Sequence, residues 1–204
     1  MAPKFKLRYG AIKGLGEPVR FLLSYGKIEF EDERIDLQQW PSVKESMPFG
    51  QVPVLEIDGK KTWQSLAICR YLGNQIGLAG ANDWEDLQID MAVETVTDLR
   101  LKMASFAYEN DPSIKEKKKA PVVNESLPFL LGRLDNLVKQ NGGHLANGKL
   151  SWADLYFVAL LDYLNFLTGF DLTKDYPNLS ALKRTVLEIP AIKEWVTKRP
   201  KTDM

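Results

Sequence analysis

The pattern of apolar residues changes once along this chain, at residues 80–83, and that change limits the fold more than any other feature. Before it, apolar positions alternate or come in short β-branched runs. After it no strand signal appears, and they recur at three- and four-residue intervals. Residues 4–9 set Phe5, Leu7 and Tyr9 against Lys4, Lys6 and Arg8, the period-two pattern of a half-buried strand with Tyr9 at its end. A loop over residues 10–16 leads to Pro18, which suits a first helical turn. Val19, Phe21, Leu22, Leu23 and Tyr25 then carry a helix to Gly26. Residues 30–35 predict a second, weaker strand. Val54, Leu55 and Ile57 predict a third, Asp58-Gly59 a two-residue turn, and residues 61–63 a fourth strand pairing back on the third. The run Leu66, Ala67, Ile68, Tyr71, Leu72 and Ile76 predicts a helix, with Ser65 placed to cap its free N–H groups. The order is βαβ–ββα, a small sheet covered by helices. Pro53 heads the third strand, and the bond before it is open to cis or trans. A cis bond would turn the Val52 backbone outward, where an extended peptide could pair with it.

In the second part, Ile89, Ala92, Val93, Val96, Leu99, Met103, Phe106 and Ala107 predict one long amphipathic helix. Leu127, Leu130, Leu131, Leu134, Leu137 and Val138 predict another, stopped by Gly142-Gly143, with Pro128 in its first turn or at a kink. Ser151-x-x-Asp154 resembles a capping box with Asp where Glu is preferred. The helix it opens is apolar nearly all round and should form the buried centre of a bundle. Shorter helices follow over residues 179–187 and 192–196. Two domains are expected, 1–79 and 84–204.

Composition narrows the function by exclusion. Lys+Arg and Asp+Glu balance at 27 each, so no charge excess points to nucleic acid or an anionic membrane. Cys69 is the single cysteine, which excludes an internal disulfide and reads as a small buried hydrophobe. His144 stands alone in a Gly-rich loop, with no metal-ligand spacing and no Ser-His-Asp arrangement. The apolar stretch 152–170 is interrupted by Asp154, Asp162 and Asn165 and does not look like a membrane span. No signal peptide precedes the first strand, so a cytoplasmic protein is expected. Gly14-x-Gly16 lacks the third glycine of a nucleotide fingerprint.

One window is more specific. Pro48-Phe49-Gly50-Gln51-Val52-Pro53-Val54-Leu55, followed by Gln64-Ser65-x-Ala67-Ile68-x-Arg70-Tyr71-Leu72, resembles the glutathione-binding half of a cytosolic glutathione transferase. Tyr9 with Leu15-Gly16-Glu17-x-x-Arg20 at the head, and Lys198-Arg199-Pro200-x-Thr202 at the tail, resemble the sigma class, to which the haematopoietic prostaglandin D synthases are related. The resemblance spans the whole chain. It implies a thioredoxin-like α/β domain that binds glutathione, then an all-α domain that supplies most of the electrophile pocket. It further implies a homodimer, with glutathione as co-substrate and small hydrophobic electrophiles as partners. In vertebrate members an acidic ridge can bind a divalent cation, but one of its acids is Thr97 here, so no metal is expected.

By the same resemblance Tyr9 is the catalytic residue, its hydroxyl facing the glutathione sulfur. A free thiol with a pKa of about 8.5 is only a few per cent thiolate at neutral pH. Lowering that pKa by about 2 units takes roughly 2.7 kcal/mol. One hydrogen bond to a charged acceptor supplies about 1.5–3 kcal/mol, nearly sufficient. Val52 beside Pro53 would pair with the cysteinyl unit, with Gln51 in the same cleft. Gln64 and Ser65 would hold the γ-glutamyl carboxylate at a helix N-terminus, and Trp40 and Lys44 the glycyl carboxylate. Asp98 would reach across the dimer interface toward the glutathione amino group. Read on its own, Asp98 ends the like-charged ridge Asp90, Glu94, Asp98, a solvated face that Lys102 would relieve. Leu15, Arg100, Ser105, Tyr156 and Met204 match substrate-pocket positions. Leu15 stands where prostaglandin D synthases of the class have an arginine, and Ser105 where they have a tryptophan. The expected activity is therefore conjugation of soft electrophiles such as hydroxyalkenals and aryl halides, with lipid hydroperoxide reduction. The alternatives are prostaglandin D synthase-type isomerisation and a non-enzymatic, crystallin-like structural protein. Retention of Tyr9, Trp40, Lys44 and Gln64-Ser65 argues against the last.

Overall fold

The computed structural model describes residues 3–36 and 38–202. The chain divides into two compact units, Met1–Leu78 with Leu187–Met204, and Ala79–Val186. The first unit holds the sheet: β1 (Phe5–Gly10), β2 (Phe30–Ile35), β3 (Val54–Ile57) and β4 (Lys60–Trp63), in the order β2-β1-β3-β4. β1 runs parallel to β2, joined by α1 (Glu17–Tyr25), and antiparallel to β3, which turns back into β4. The alternation in β1 sorts its side chains. Leu7 and Tyr9 are buried, while Lys6 and Arg8 form ion pairs of 2.7–2.9 Å with Glu31 and Glu33 of the neighbouring strand. Asp58 and Gly59 both take positive φ, +49° and +79°, as a two-residue hairpin turn requires. A short α2 (Trp40–Val43) precedes β3, and α3 (Ser65–Gln75) follows β4.

The second unit is helical among the described residues: α4 (Asp83–Ala107), α5 (Pro112–Pro121), α6 (Leu127–Gln140), α7 (Trp152–Thr168) and α8 (Pro177–Leu187), whose last residue falls in the first unit. α7 is the buried centre, with every residue from Trp152 to Leu161 inaccessible or nearly so. α6 ends where expected. Gly143 N–H reaches the Val138 carbonyl (2.8 Å) and Gly142 N–H the Lys139 carbonyl (3.4 Å), with Gly142 at φ +61°. That conformation is unstrained only for glycine, which is why the helix stops there. Between α5 and α6 a π-helical turn over Val122–Ser126 keeps the chain helical, and Pro128 lies in the first turn of α6.

Two details depart from the sequence reading. Ser65 does not cap α3: it is the first helical residue, Gln64 takes the cap position at φ +70°, and no side chain caps the helix. Gln64 cannot continue β4 with that φ, so the helix starts one residue earlier than a Ser cap would put it. The last helix, α9 (Pro190–Lys198), groups with the first unit, whereas the sequence reading places residues 84–204 together. Trp195 packs on Phe30 (5.8 Å between ring centroids) and donates to Glu17 of α1 (2.8 Å).

The start of α7 is held by Asp154, which is fully buried. Its carboxylate accepts the N–H of Ser151 (2.9 Å) and of Leu145 (2.8 Å) and lies 3.3 Å from Nδ1 of His144. The hydrogen bond to Asp154 raises the His144 pKa above 6.5, against a smaller opposing effect of burial. A raised pKa means the pairing stabilises fully below the unfolded value and is lost as pH rises through the folded one. His144→Gln is therefore expected to lower the melting temperature near pH 5.5 and to lose that effect above about pH 8.5. An equal loss at both pH values would show that the charged pair contributes nothing. Asp154→Ala, which strands two buried N–H groups, should cost about 2–4 kcal/mol in denaturant unfolding at either pH.

Candidate functional site

The site begins at the end of β1. Tyr9 is only 8% exposed, and its hydroxyl oxygen accepts the backbone N–H of Leu15 (2.9 Å). The loop reaches this oxygen because Gly14 and Gly16 lie against the tyrosine. A Cβ on Gly16 would stand 2.5 Å from Tyr9 Cδ1 and 2.7 Å from Cγ. On the other side, the Arg20 guanidinium of α1 lies over the ring, 5.7 Å from its centroid. Ring and loop thus fix each other.

Leu15, Gln51, Val52, Pro53, Gln64 and Ser65 line one small cleft with Phe49 and Trp63. The Val52–Pro53 bond is cis, and Gln51 and Val52 precede the β3 ladder, which begins at Val54. Across the cleft, α3 starts without a side-chain cap, so its first-turn N–H groups and the positive end of its dipole face outward. An anion fits such a site. Phe49, 67% exposed and 5.1 Å from the Trp63 ring, was not singled out by sequence reasoning. The signal available was two aromatics bracketing the motif.

Trp40 and Lys44 flank the cleft rather than line it. Trp40 is half-buried against Ile35, Met47 and Val54, together with Val43 and Val52. Lys44 is exposed and forms no ion pair among the described residues. Its Cε passes 3.3 Å from where a Cβ on Gly50 would sit. The aliphatic stem is therefore held while the ammonium stays available.

In the second unit, Asp98 is exposed on α4 and makes no ion pair with Lys102 among the described residues. Arg100 is half-buried with Nε buried and unpartnered, and Ser105 is exposed, its hydroxyl donating to the Lys102 carbonyl (2.6 Å). Tyr156 has no accessible surface. It packs edge-on against Trp152, its hydroxyl 3.4 Å from Thr97 Oγ1, so here it supports α4 rather than lining a pocket. Met204 lies outside the described residues. Cys69 is fully buried, and burial pushes its thiol well above the usual range, so it is no nucleophile. Among the described residues no cluster of His, Cys, Asp or Glu could hold a metal, and no helix is long and apolar enough to cross a membrane.

A four-stranded mixed sheet with covering helices, followed by an all-helical domain, is the glutathione S-transferase fold. Residues 7–74 match the family model for the glutathione S-transferase N-terminal domain, and residues 97–199 that for the C-terminal domain. The chain belongs to the glutathione S-transferase family and is an enzyme of that kind. It is similar to a glutathione S-transferase of Anopheles gambiae, 52% identical over 99% of this chain and 100% of that one. It is also similar to a hematopoietic prostaglandin D synthase of Rattus norvegicus, 37% identical over 99% of this chain and all of the other. A solved structure of prostaglandin synthase D of Nilaparvata lugens superimposes with a TM-score of 0.94 at 45% identity, covering 98% of this chain and 100% of that one.

The packing of Gly16 on Tyr9 can be tested without any substrate. Gly16→Ala should displace the ring and cost about 1–3 kcal/mol, seen as a lower melting temperature. Gly132→Ala, on the open face of α6 where an added Cβ meets nothing within 4 Å, should instead stabilise by about 0.4–1 kcal/mol. Similar melting points for Gly16→Ala and wild type would mean that the ring and loop do not constrain each other.

Proposed function

We propose that the protein is a cytoplasmic, homodimeric, sigma-class glutathione transferase that activates glutathione as a thiolate at Tyr9. The thiolate would be added to soft electrophiles such as hydroxyalkenals and aryl halides, and would reduce lipid hydroperoxides. The observation that carries this reading is the Tyr9 hydroxyl, set by the Leu15 N–H beside the cleft that Leu15 lines. That bond engages an oxygen lone pair. The hydroxyl hydrogen is the group a thiolate sulfur would accept, and such a charged hydrogen bond supplies about 1.5–3 kcal/mol. The sulfur then attacks the electrophilic carbon, displacing halide from an aryl halide or adding across an alkenal, whose α-carbon takes up a proton.

The remaining groups suit the tripeptide. The uncapped start of α3 at Gln64 and Ser65 would take the γ-glutamyl carboxylate, and Val52, between Gln51 and Pro53, would pair with the cysteinyl backbone. Trp40 and Lys44 would hold the glycyl carboxylate, and Asp98 of the partner subunit the amino group. Exposed Trp84, Leu87, Met91 and Leu101 on α4 support an association of copies, since such residues gain by being covered. No metal is assigned a role.

Leu15 would meet the electrophile, and Arg100, Ser105, Tyr156 and Met204 match positions that the family uses for its substrate pocket. Leu15 offers a small apolar surface and no cation beside the sulfur, which suits compact electrophiles or the chain of a lipid peroxide. The similarity to the Nilaparvata lugens prostaglandin synthase favours a second reading, isomerisation of an endoperoxide.

Tyr9→Phe removes only the hydroxyl. It should leave glutathione affinity within a few-fold while raising the thiol pKa in the complex by about 1–2 units, read as thiolate absorbance against pH. An unchanged thiol pKa would show that another group activates the sulfur.

Substrate choice is checked by kcat/KM for a hydroxyalkenal, a fatty-acid hydroperoxide and a prostaglandin endoperoxide. The first two should exceed the third. If the endoperoxide leads by about tenfold, or roughly 1.4 kcal/mol in transition-state binding, the isomerase reading replaces this one.

A further inference from the structure

Arg20 is a fully buried charge that the thiol chemistry, as described so far, does not use. Its guanidinium is locked on three sides. Nε donates to Asp32 Oδ1 (3.0 Å), and Nη1 donates to the Ile12 carbonyl (2.9 Å) and to Glu17 Oε2 (3.2 Å). Nη2 is buried too and has no hydrogen-bond partner among the described residues. What the group does meet is the face of Tyr9, 5.7 Å from guanidinium carbon to ring centroid. An aromatic face accepts a cation or an N–H that has no oxygen to bind.

The carboxylates that lock Arg20 also serve other guanidiniums. Glu17, with no accessible surface, also takes the Arg199 guanidinium (2.7 Å), and Asp32 also takes Arg34 (2.8 Å). Each of the two carboxylates is thus shared between two guanidiniums, so neither is committed to Arg20 alone. On the loop, Lys13 donates to the Thr202 carbonyl (3.1 Å). On the far face of β1, Lys6 and Arg8 are engaged by Glu31 and Glu33.

We propose that Arg20 is a positioning residue for thiol activation: locked by Glu17, Asp32 and the Ile12 carbonyl against the Tyr9 ring, it holds the ring and strengthens its hydroxyl as a donor to the sulfur. This rests on the reading of Tyr9 given above. The physical reason is that a phenol donating its hydrogen gains electron density in the ring, and a cation at the ring face favours that state. Leu15, whose backbone N–H bonds the hydroxyl, has no charge to offer, so the positive group acts through the ring face.

The test is the thiol pKa of bound glutathione, measured by thiolate absorbance for Arg20→Met and Arg20→Lys, each in the wild-type and Tyr9→Phe backgrounds. Arg20→Met should raise the pKa by about 0.5 unit or more, roughly a threefold loss of thiolate fraction below the pKa, and shift the acid limb of kcat/KM with it. Arg20→Lys should recover most of the shift, and in the Tyr9→Phe background Arg20→Met should add nothing. A lower melting temperature with an unmoved thiol pKa would make Arg20 purely structural and overturn the proposal. So would an equal shift with and without the Tyr9 hydroxyl. If Arg20→Met does not fold, Asp32→Asn replaces it: removing one facing carboxylate while keeping Arg20 should lower the thiol pKa, and no change or a rise overturns the proposal. If Tyr9→Phe alone leaves the pKa unmoved, it is the underlying reading of Tyr9 that fails.

Discussion

The buried carboxylate of Glu17 is the interaction on which the first unit depends. It sits at the start of α1 with no accessible surface and accepts from three donors: Arg20 on its own helix, Trp195 on α9, and Arg199 just beyond. A charge in that position is tolerated only while it is fully paired, and losing one partner of a buried pair costs about 3–5 kcal/mol. The Glu17-x-x-Arg20 spacing puts two members on one helical face. The other two arrive from 178 and 182 residues away. This explains why the end of the chain groups with its beginning. It also ties down the loop at residues 10–16, since the same arginine that pairs with Glu17 also holds the Ile12 carbonyl and faces Tyr9.

What was legible in the sequence was local. Alternation in β1, the Asp58-Gly59 turn, the stop at Gly142-Gly143 and the all-round apolar α7 each follow from neighbours within a few residues, and the structure has all four. The misreading at Ser65 shows the limit of such rules. Ser is a good cap by propensity, but Gln64 leaves the strand at φ +70°, and that backbone, which is uncommon outside glycine, sets where the helix begins. Nothing in the residue types announces a positive φ at a glutamine. The same holds for the π turn at Val122–Ser126, where a helical run containing Pro121 and Pro128 continues instead of breaking. Most opaque was the pairing of Glu17 with Trp195 and Arg199, because periodicity carries no information about contacts at such separation.

The strained Gln64 and the uncapped α3 belong together. Backbone held in a sparsely populated region costs about 1–3 kcal/mol, and such strain gathers where a ligand is bound. Here it leaves the first turn of α3 without a side-chain cap, in the cleft that Val52 and Pro53 also line. A ligand with a carboxylate and an extended backbone, such as the glutathione proposed above, would suit such a cleft.

A division of labour follows from which atoms do the recognising. Beside the side chains of Tyr9, Trp40, Lys44 and Asp98, the proposed glutathione site leans on backbone groups: the Val52 peptide, the first turn of α3, and the Leu15 N–H on Tyr9. Backbone geometry is kept by turn residues, prolines and glycines, and the chain is similar over nearly its whole length to relatives whose names differ, a transferase and a prostaglandin D synthase alike. The electrophile would be chosen by side chains such as Leu15, which can change without moving any strand or helix. Two proteins can thus share the fold at a TM-score of 0.94 and still differ in the third molecule they act on. The name of a relative therefore carries over to the thiol with more physical warrant than to its partner, and the identity of that partner has to be read from the few side chains that face it.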